Sequence, residues 1–542
     1  MSADDLHNSA NRSDASSKRS TFPSFQLEIA EVPAQDAMSM PADGVQKALG
    51  RLEAIVDAVK AKSGVPGIAV GVIHGGQPHY YCVGDRNLSL PKDKRQKVDK
   101  ATVFQIASIS KSISATLAAR MMTYFQEQGN AVAIWEDPVV QFLGNSYHPT
   151  SDYVWERGTI GDYFAHRSGL PAAAGDDLEG LYYQRSDILL RLNQMPLDPF
   201  RVTYNYCNFG LTIGAEAIAR AAGKPWEELG RDFLFNPLHM FATSYRYAEF
   251  KQRENRAALH SYDGTDFAPS PFPRNPDAQA PAGGVSSNVV DLVRWMDLLL
   301  ALGRSDSKPA LDIEQKFFVE SVTPQSVNAR SPVQNARSGC YGYGFNVGTG
   351  ANGRMSMSHS GAFFVGAATA FHVLPDADAG IVVLTNGAPV GAAEAIVTEF
   401  MDIVQFGDVT RNNWYEIAHD HFMNFYKASG DLAGNLPPQK PNFPHPLAIY
   451  EGVYSSAYFG EAEVWANGDH LILQLGPRKL QFVLKRWDAD IFQMDPGREF
   501  TAKGSLYSVR FALSGGRVTS MTAAYFNDNI LGTFPFARPR GS

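Results

Sequence analysis

Cysteine is scarce in this chain of 542 residues: Cys82, Cys207 and Cys340 are the only three. They are far apart and odd in number, which argues against a disulfide framework, and no Cys-x-x-Cys pair suggests zinc. A strong charge of one sign is also missing. Lys and Arg number 48 against 56 Asp and Glu, a formal net charge of −8, and no basic run exceeds a few residues. Nucleic acid is therefore not expected as the main partner. No apolar stretch approaches the ~18–20 residues of a spanning helix, so no membrane span is expected. The first forty residues are polar and Ser-rich with no apolar signal core, and they read as a disordered tail. The expected compartment is cytoplasmic for the sequence as it stands, or periplasmic or secreted if a leader has been trimmed. Rival hydrolase signatures (G-x-S-x-G, H-E-x-x-H, a Walker A loop) are absent as well.

What is present is an ordinary globular composition, 44% hydrophobic and 19% charged, at a length that calls for two or more domains. Val45, Leu49, Leu52, Ile55, Val56 and Val59 recur at helical spacing. The β-forming runs GIAVGVIH and HYYCVG, joined through Gly75-Gly76, predict a hairpin. Helical patterns dominate from about 107 to 300. Strand signals return at MSMSH, GAATAFHVL and GIVVLTN, and a helical run, PVGAAEAIVTEFMDIV, follows. The expected fold is α+β: an antiparallel sheet flanked by helices, with a helical subdomain inserted in its middle. A Pro-rich stretch at 429–446 reads as a linker, and the short strands beyond it predict a small all-β barrel or sandwich. The expected divisions are a tail at 1–40, a first domain at 41–405, a helical segment and linker at 406–446, and a β domain at 447–542.

The chemistry is carried by Ser108-Ile-Ser-Lys111, a Ser-x-x-Lys tetrad opening a helix. The spacing sets both side chains on one face, a turn apart. A helix start supplies free N–H groups and a positive dipole end to a developing oxyanion. A lysine acts as base only when neutral, so its ordinary pKa of ~10.4 would have to fall by about three units. Whether Lys111 is the base or lends its charge to a phenolate stays open here. Ser89 with Lys92, and Ser305 with Lys308, match the same spacing in loop-like stretches with no helix to present them. Tyr206-Cys-Asn208 precedes an amphipathic helix, where a phenol near the serine can relay a proton and an amide can orient the lysine. His359-Ser-Gly361 ends a strand-like run, with the Ala362 N–H as a candidate second oxyanion donor beside that of Ser108. His166 reads as a helix terminator with Gly169 as its C′ residue, and His419-Asp-His421 lacks a third ligand. No metal or cofactor is called for.

The order and spacing of these motifs resemble the penicillin-binding-protein-like serine hydrolases, which include class C β-lactamases, D-aminopeptidases and esterases. Phrases such as VPGIAVGVI, TIGDYFAHRSGLP, YGYGF and VVLTNG are similar to the family too, over roughly 45–405. The resemblance implies a serine β-lactamase-like fold and acyl transfer, with Ser108, Lys111 and Tyr206 catalytic. It also implies that Asn208, His359 and Gly361 orient substrate. Class C enzymes carry lysine where this chain has His359, which shifts the expectation to small amides, D-amino-acid-containing peptides or esters. The alternatives are a β-lactamase or D-Ala-D-Ala carboxypeptidase, or a catalytically silent binding or regulatory homologue. The β domain resembles the lipocalin-like barrel appended to some of these hydrolases. A small molecule or short peptide is the expected partner, with homo-oligomerisation left open.

Overall fold

The computed structural model describes residues 39–130, 132–304, 308–329, 338–350, 353–497, 499 and 501–541. The expected disordered tail thus lies outside the described residues except for Ser39 and Met40, as does most of the Ser305–Lys308 match.

An eight-stranded antiparallel sheet organises the first part of the chain. Its strands are β1 (Gly67–His74), β2 (Gln77–Gly84), β3 (Ser326–Ala329), β4 (Gly339–Tyr341), β5 (Asn346–Thr349), β6 (Met355–Phe363), β7 (Ala367–Leu374) and β8 (Ala379–Thr385), in the order β2-β1-β8-β7-β6-β5-β4-β3. The β1–β2 hairpin turns at Gly75 and Gly76, both at positive φ (55° and 70°), a conformation that only glycine adopts without cost. Alternation along the strands then sorts the core into two layers. Ile68, Val70, Val72, Ile381 and Val383 face α1 (Gly44–Ser63) and α7 (Ala392–Phe406), where Leu52, Val56, Ile396 and Phe400 meet them. Ala69, Ile73, Val382 and Leu384 face the other way, onto α2 (Ile109–Glu127) and α6 (Val289–Leu302). A sheet covered on both faces reads as near-continuous apolar runs, which is what β1 and β8 are.

The inserted region, between β2 and β3, holds α2, α3 (Asp176–Gly180), α4 (Asn208–Ala222), α5 (Ala280–Gly283) and α6. The expected helix terminator is shifted from the sequence reading. The helix Ile160–Phe164 ends at Ala165, and His166 itself takes the left-handed conformation (φ 56°), while Gly169 lies further into the loop.

After α8 (Trp414–Met423) the chain enters a closed antiparallel barrel. Its strands are β9 (Gly452–Ser456), β10 (Gly460–Asn467), β11 (His470–Leu475), β12 (Leu480–Asp488), β13 (Ile491–Met494), β14 (Tyr507–Ser514), β15 (Arg517–Ala523) and β16 (Thr533–Arg538). Closure removes the exposed edges of an open sheet. The Pro-rich stretch before it lies along the barrel, since the Asp431 carboxylate accepts from the Ser508 N–H and hydroxyl, and the Ala489 N–H donates to the Asn442 carbonyl.

The barrel is docked on the insertion. Leu181, Tyr183, Tyr458 and Phe459 belong to one continuous buried cluster. The Tyr183 hydroxyl donates to the Phe459 carbonyl (2.6 Å), and Arg191 donates to the Tyr458 carbonyl (2.6 Å). The Tyr458 hydroxyl donates to Asp177 Oδ1 (2.8 Å), a carboxyl whose pKa burial pushes up to about 6. Tyr458→Phe removes one of the two bonds to that buried oxygen, which also accepts the Leu178 N–H (2.7 Å), and should cost about 1 kcal/mol. Urea unfolding of the variant checks this, and an unchanged midpoint would show the contact to be idle.

Candidate active site

Ser108 sits at the N-cap of α2, immediately after a strained residue: Ala107 has φ 48°, a left-handed conformation that costs a residue with a Cβ of order 1–3 kcal/mol. The surrounding bonds hold that turn. The Ser110 hydroxyl donates to the Ala107 carbonyl (2.6 Å) and accepts from the Val285 N–H (3.0 Å), and the Thr369 hydroxyl donates to the Ile106 carbonyl (2.8 Å). Strand β6 presses directly on the turn. A Cβ at Gly361 would lie 2.5 Å from the Ile106 carbonyl oxygen and 2.8 Å from the Ser108 nitrogen. Glycine is required there for steric reasons, and the approach brings the Ala362 segment beside the serine.

Lys111, one turn into α2, is fully buried. Its Nζ donates to Ser108 Oγ (3.1 Å), Asn208 Oδ1 (2.7 Å) and the Ala282 carbonyl (3.0 Å), which uses all three ammonium donors. Loss of hydration dominates its titration, and although Asp176 opposes the effect, the pKa falls to about 7. Asn208 begins α4, capped by Cys207, whose Sγ accepts from the Gly210 N–H (3.2 Å). The same amide donates through Nδ2 to both oxygens of Asp176 (3.2 and 3.0 Å), a carboxyl that burial and the charge of Glu179 push up to about 8. Tyr206 lies with its ring 4.5 Å below Lys111 Nζ, and its hydroxyl bonds to Ser108. Burial raises its pKa far above that of an ordinary phenol. The His166 ring packs tilted against Tyr206, centroids 4.6 Å apart, and accepts the Cys207 N–H (3.2 Å), which steadies the Tyr206–Asn208 segment.

Ser108, Tyr206, Asn208, Gly361 and Ala362 line one cleft of about 270 Å³, with Lys111 in its floor beneath Ser108. His359 is placed otherwise. Side chains alternate along β6, so it lies on the face of Gly361 and Phe363, which is turned to Ser108 and Tyr206; its ring is 6.3 Å from that of Tyr206, yet it is buried and is not among the residues lining the cleft. Its Nε2 meets the Tyr341 hydroxyl at 2.9 Å, its Nδ1 meets the Ser360 carbonyl at 2.6 Å, and burial pushes its pKa down to about 3. The imidazole is therefore a buried neutral group beside Tyr206 and Tyr341, not a cation in the cleft.

Several cleft residues escaped the sequence reading. Asp176, Arg274, Gln279, Glu394 and Phe422 all border it. Arg274 Nη2 donates to Glu179 (2.7 Å), its Nε pairs with Glu499 of the barrel (3.1 Å), and its guanidinium lies 4.7 Å from the Phe363 ring centre. Gln279 also donates to Glu179. The adjacent acids of AAAGDDLEG and the lone acid in the apolar run AAEAIV were the available signals. Among the described residues, no group of three or more His, Cys, Asp or Glu is arranged to hold a metal ion, and no helix is long and apolar enough to cross a membrane.

The sequence pattern of the family described as Beta-lactamase matches residues 52–404, and that of a Domain of unknown function (DUF3471) matches 436–533. An unguisins hydrolase of Aspergillus campestris is 26% identical over 257 residues, covering 45% of this chain and 46% of its own. A beta-lactamase of Pseudomonas fluorescens is 23% identical over 253 residues, covering 46% of this chain and 63% of its own. The chain thus spans between 46% and 63% of the length of these relatives. Two solved structures share the fold. The octameric penicillin-binding protein homologue from Pyrococcus abyssi has a TM-score of 0.54 at 19% identity, covering 87% of this chain and 98% of its own. SurE has a TM-score of 0.53 at 18% identity, covering 91% of this chain and 100% of its own.

The depressed pKa of Lys111 fixes the sign of a stability effect. Between about pH 7 and 10.5 the unfolded chain holds a proton on this group that the folded chain has released, so its contribution to stability rises with pH there; below about pH 7 the cost of the buried charge is fully present. Above about pH 8.5, past the titration of Asp176, Lys111→Met should flatten the rise by up to ~1.4 kcal/mol per pH unit. Chemical denaturation of both proteins at pH 8.5 and 9.5 measures the difference, and parallel slopes would mean that Lys111 is protonated in the fold.

Proposed function

The chain belongs to the beta-lactamase family, and from that premise we propose that it is a serine hydrolase working through an acyl-enzyme on Ser108. The observation that carries the proposal is the 3.1 Å bond between Ser108 Oγ and a lysine held near neutrality at pH 7. Lys111 takes the serine proton as Oγ attacks a carbonyl carbon. The oxyanion is received by the N–H groups of Ser108 and Ala362, whose loss in comparable sites costs about 3–4 kcal/mol per donor. Tyr206 remains protonated at neutral pH, so it serves as a proton donor to the leaving group, recovering its proton from the Lys111 ammonium, and not as a standing phenolate. Asn208 and the Ala282 carbonyl hold Lys111 in place, and Asn208 also borders the substrate cleft. Water then releases the acyl group by the reverse proton path.

Small amides, D-amino-acid-containing peptides and esters are the proposed substrates. The neutral His359 supplies no charge for a substrate carboxylate, which weighs against β-lactams and D-Ala-D-Ala peptides as main substrates. The relative named as an unguisins hydrolase is in keeping with a hydrolytic role.

Ser108→Ala should retain the fold and lose both ester turnover and the mass adduct with a fluorophosphonate; labelling that persists would remove Ser108 from the mechanism. Lys111→Ala and Tyr206→Phe should each lower kcat by roughly 10²–10⁴, the range of general acid–base groups. The double variant should lose little more, because the two groups handle one proton. Steady-state kinetics on a p-nitrophenyl ester measures this, and fully additive losses would assign them to separate steps.

A further inference from the structure

Glu394 is the third residue of α7, in its first turn, and lines the cleft together with Ser360, Ala362 and Phe422 of α8. Its carboxyl interacts with its own backbone N–H and with the Ser360 hydroxyl, but Oε2 is shielded from solvent and has no hydrogen-bond partner. A buried acceptor left unpaired costs about 1–3 kcal/mol, so such a group in a cleft marks a place where a ligand completes it. The helix N-terminus favours the charged carboxylate, yet burial outweighs it and pushes the pKa to about 7. A second observation points the same way. The cleft adjoins a cavity of about 330 Å³ between α3 and the barrel, and the two share Asp176 and Arg274. Asp177, Glu179 and Asp528 also line this cavity, while Arg274 is already paired with Glu179 and Glu499. The combined lining is rich in carboxyls, and its one arginine is spent.

We propose that Glu394 is a specificity-determining residue which receives an ammonium group of the substrate and turns away carboxylates. This rests on the acyl-enzyme reading above and names the substrate class for that same cleft. An ammonium placed against Glu394 supplies the missing donor and favours the ionised carboxylate. A substrate carboxylate there repels the ionised form of Glu394, and finds the Ser360 hydroxyl already engaged. No bond is made or broken at Glu394.

The test uses the full chain and two ester series. One is p-nitrophenyl esters whose acyl chain ends in an ammonium, a methyl or a carboxylate; the other is acetates of phenols bearing the same three groups. In at least one series kcat/KM should run ammonium over methyl over carboxylate, by about tenfold at each step. Glu394→Gln keeps the shape and should reduce the ammonium-to-methyl ratio about tenfold, and Glu394→Lys should reverse the ammonium-to-carboxylate order. Ratios within the variants cancel the intrinsic reactivity of each ester. Ser108 adducts that form with no ammonium preference in the native protein overturn the Glu394 proposal alone, with no variant needed. A preference that Glu394→Gln leaves unmoved in a protein of native thermal midpoint also overturns it. Absence of any Ser108 adduct with every ester removes the acyl-enzyme reading and this inference together.

Discussion

Burial of the Lys111 ammonium is the constraint around which the first domain is arranged. Taking a charged amine out of water costs several kcal/mol unless each donor finds an acceptor, and a lysine so placed answers by releasing its proton. Three acceptors converge on Nζ, from Ser108 in the same helix, Asn208 at the start of α4 and Ala282 in α5. The last two are 97 and 171 residues away in sequence. Three separate segments of the helical insertion are thus drawn together on one nitrogen. The strained Ala107 and the close approach of Gly361 are consequences of bringing the same turn under the sheet, with Ser108 on the cleft side and Lys111 beneath it.

The short helix α3 carries this constraint outward to the barrel. Asp176 faces the cleft through Asn208, Asp177 faces the barrel through Tyr458, and Glu179 reaches Glu499 through Arg274. Two adjacent acids therefore point to different partners, Asp176 to Asn208 and Asp177 to Tyr458 of the barrel. A barrel that dehydrates a carboxyl one residue from an active-site ligand is more than an appendage, although it brings no nucleophile or base of its own. The electrostatics of the cleft depend on how tightly the barrel is seated.

The hairpin, the strands β6 to β8 and the tetrad were legible because each is local. Period-two burial, a Gly-Gly turn and an i,i+3 pair can all be read from a few neighbouring residues. The direction of His359 was legible in principle by the same parity, since it shares a strand face with Gly361 and must point where Gly361 points. The motif drew attention to residue type and away from that geometry. Asp176, Arg274 and Glu394 were beyond reach for a different reason. Their significance lies in contacts across 32 residues to Asn208, 95 to Glu179, and from α7 to β6; local composition marks the two acids as out of place but does not name such partners. The barrel was legible as strands, but its docking was not. Tyr458 and Phe459 look like any aromatic pair at a turn until Tyr183 and Asp177 are seen against them.

Five titratable groups around Ser108 share one property: each is held close to its uncharged form. Lys111 and Glu394 sit near 7, Asp176 near 8 and His359 near 3, and Tyr206 stays a phenol. All five shifts have burial as their largest cause. A resting site so nearly neutral avoids the cost of uncompensated charges in a dry cleft. It also leaves the charges to appear where the reaction makes them: on Lys111 when it takes the serine proton, and on the oxyanion between the Ser108 and Ala362 N–H groups. Fixed dipoles that need no reorganisation at that moment are the usual source of the largest catalytic gain. On this account the same dehydration that makes Lys111 a usable base also makes Glu394 and Asp176 responsive to whatever charge the substrate brings.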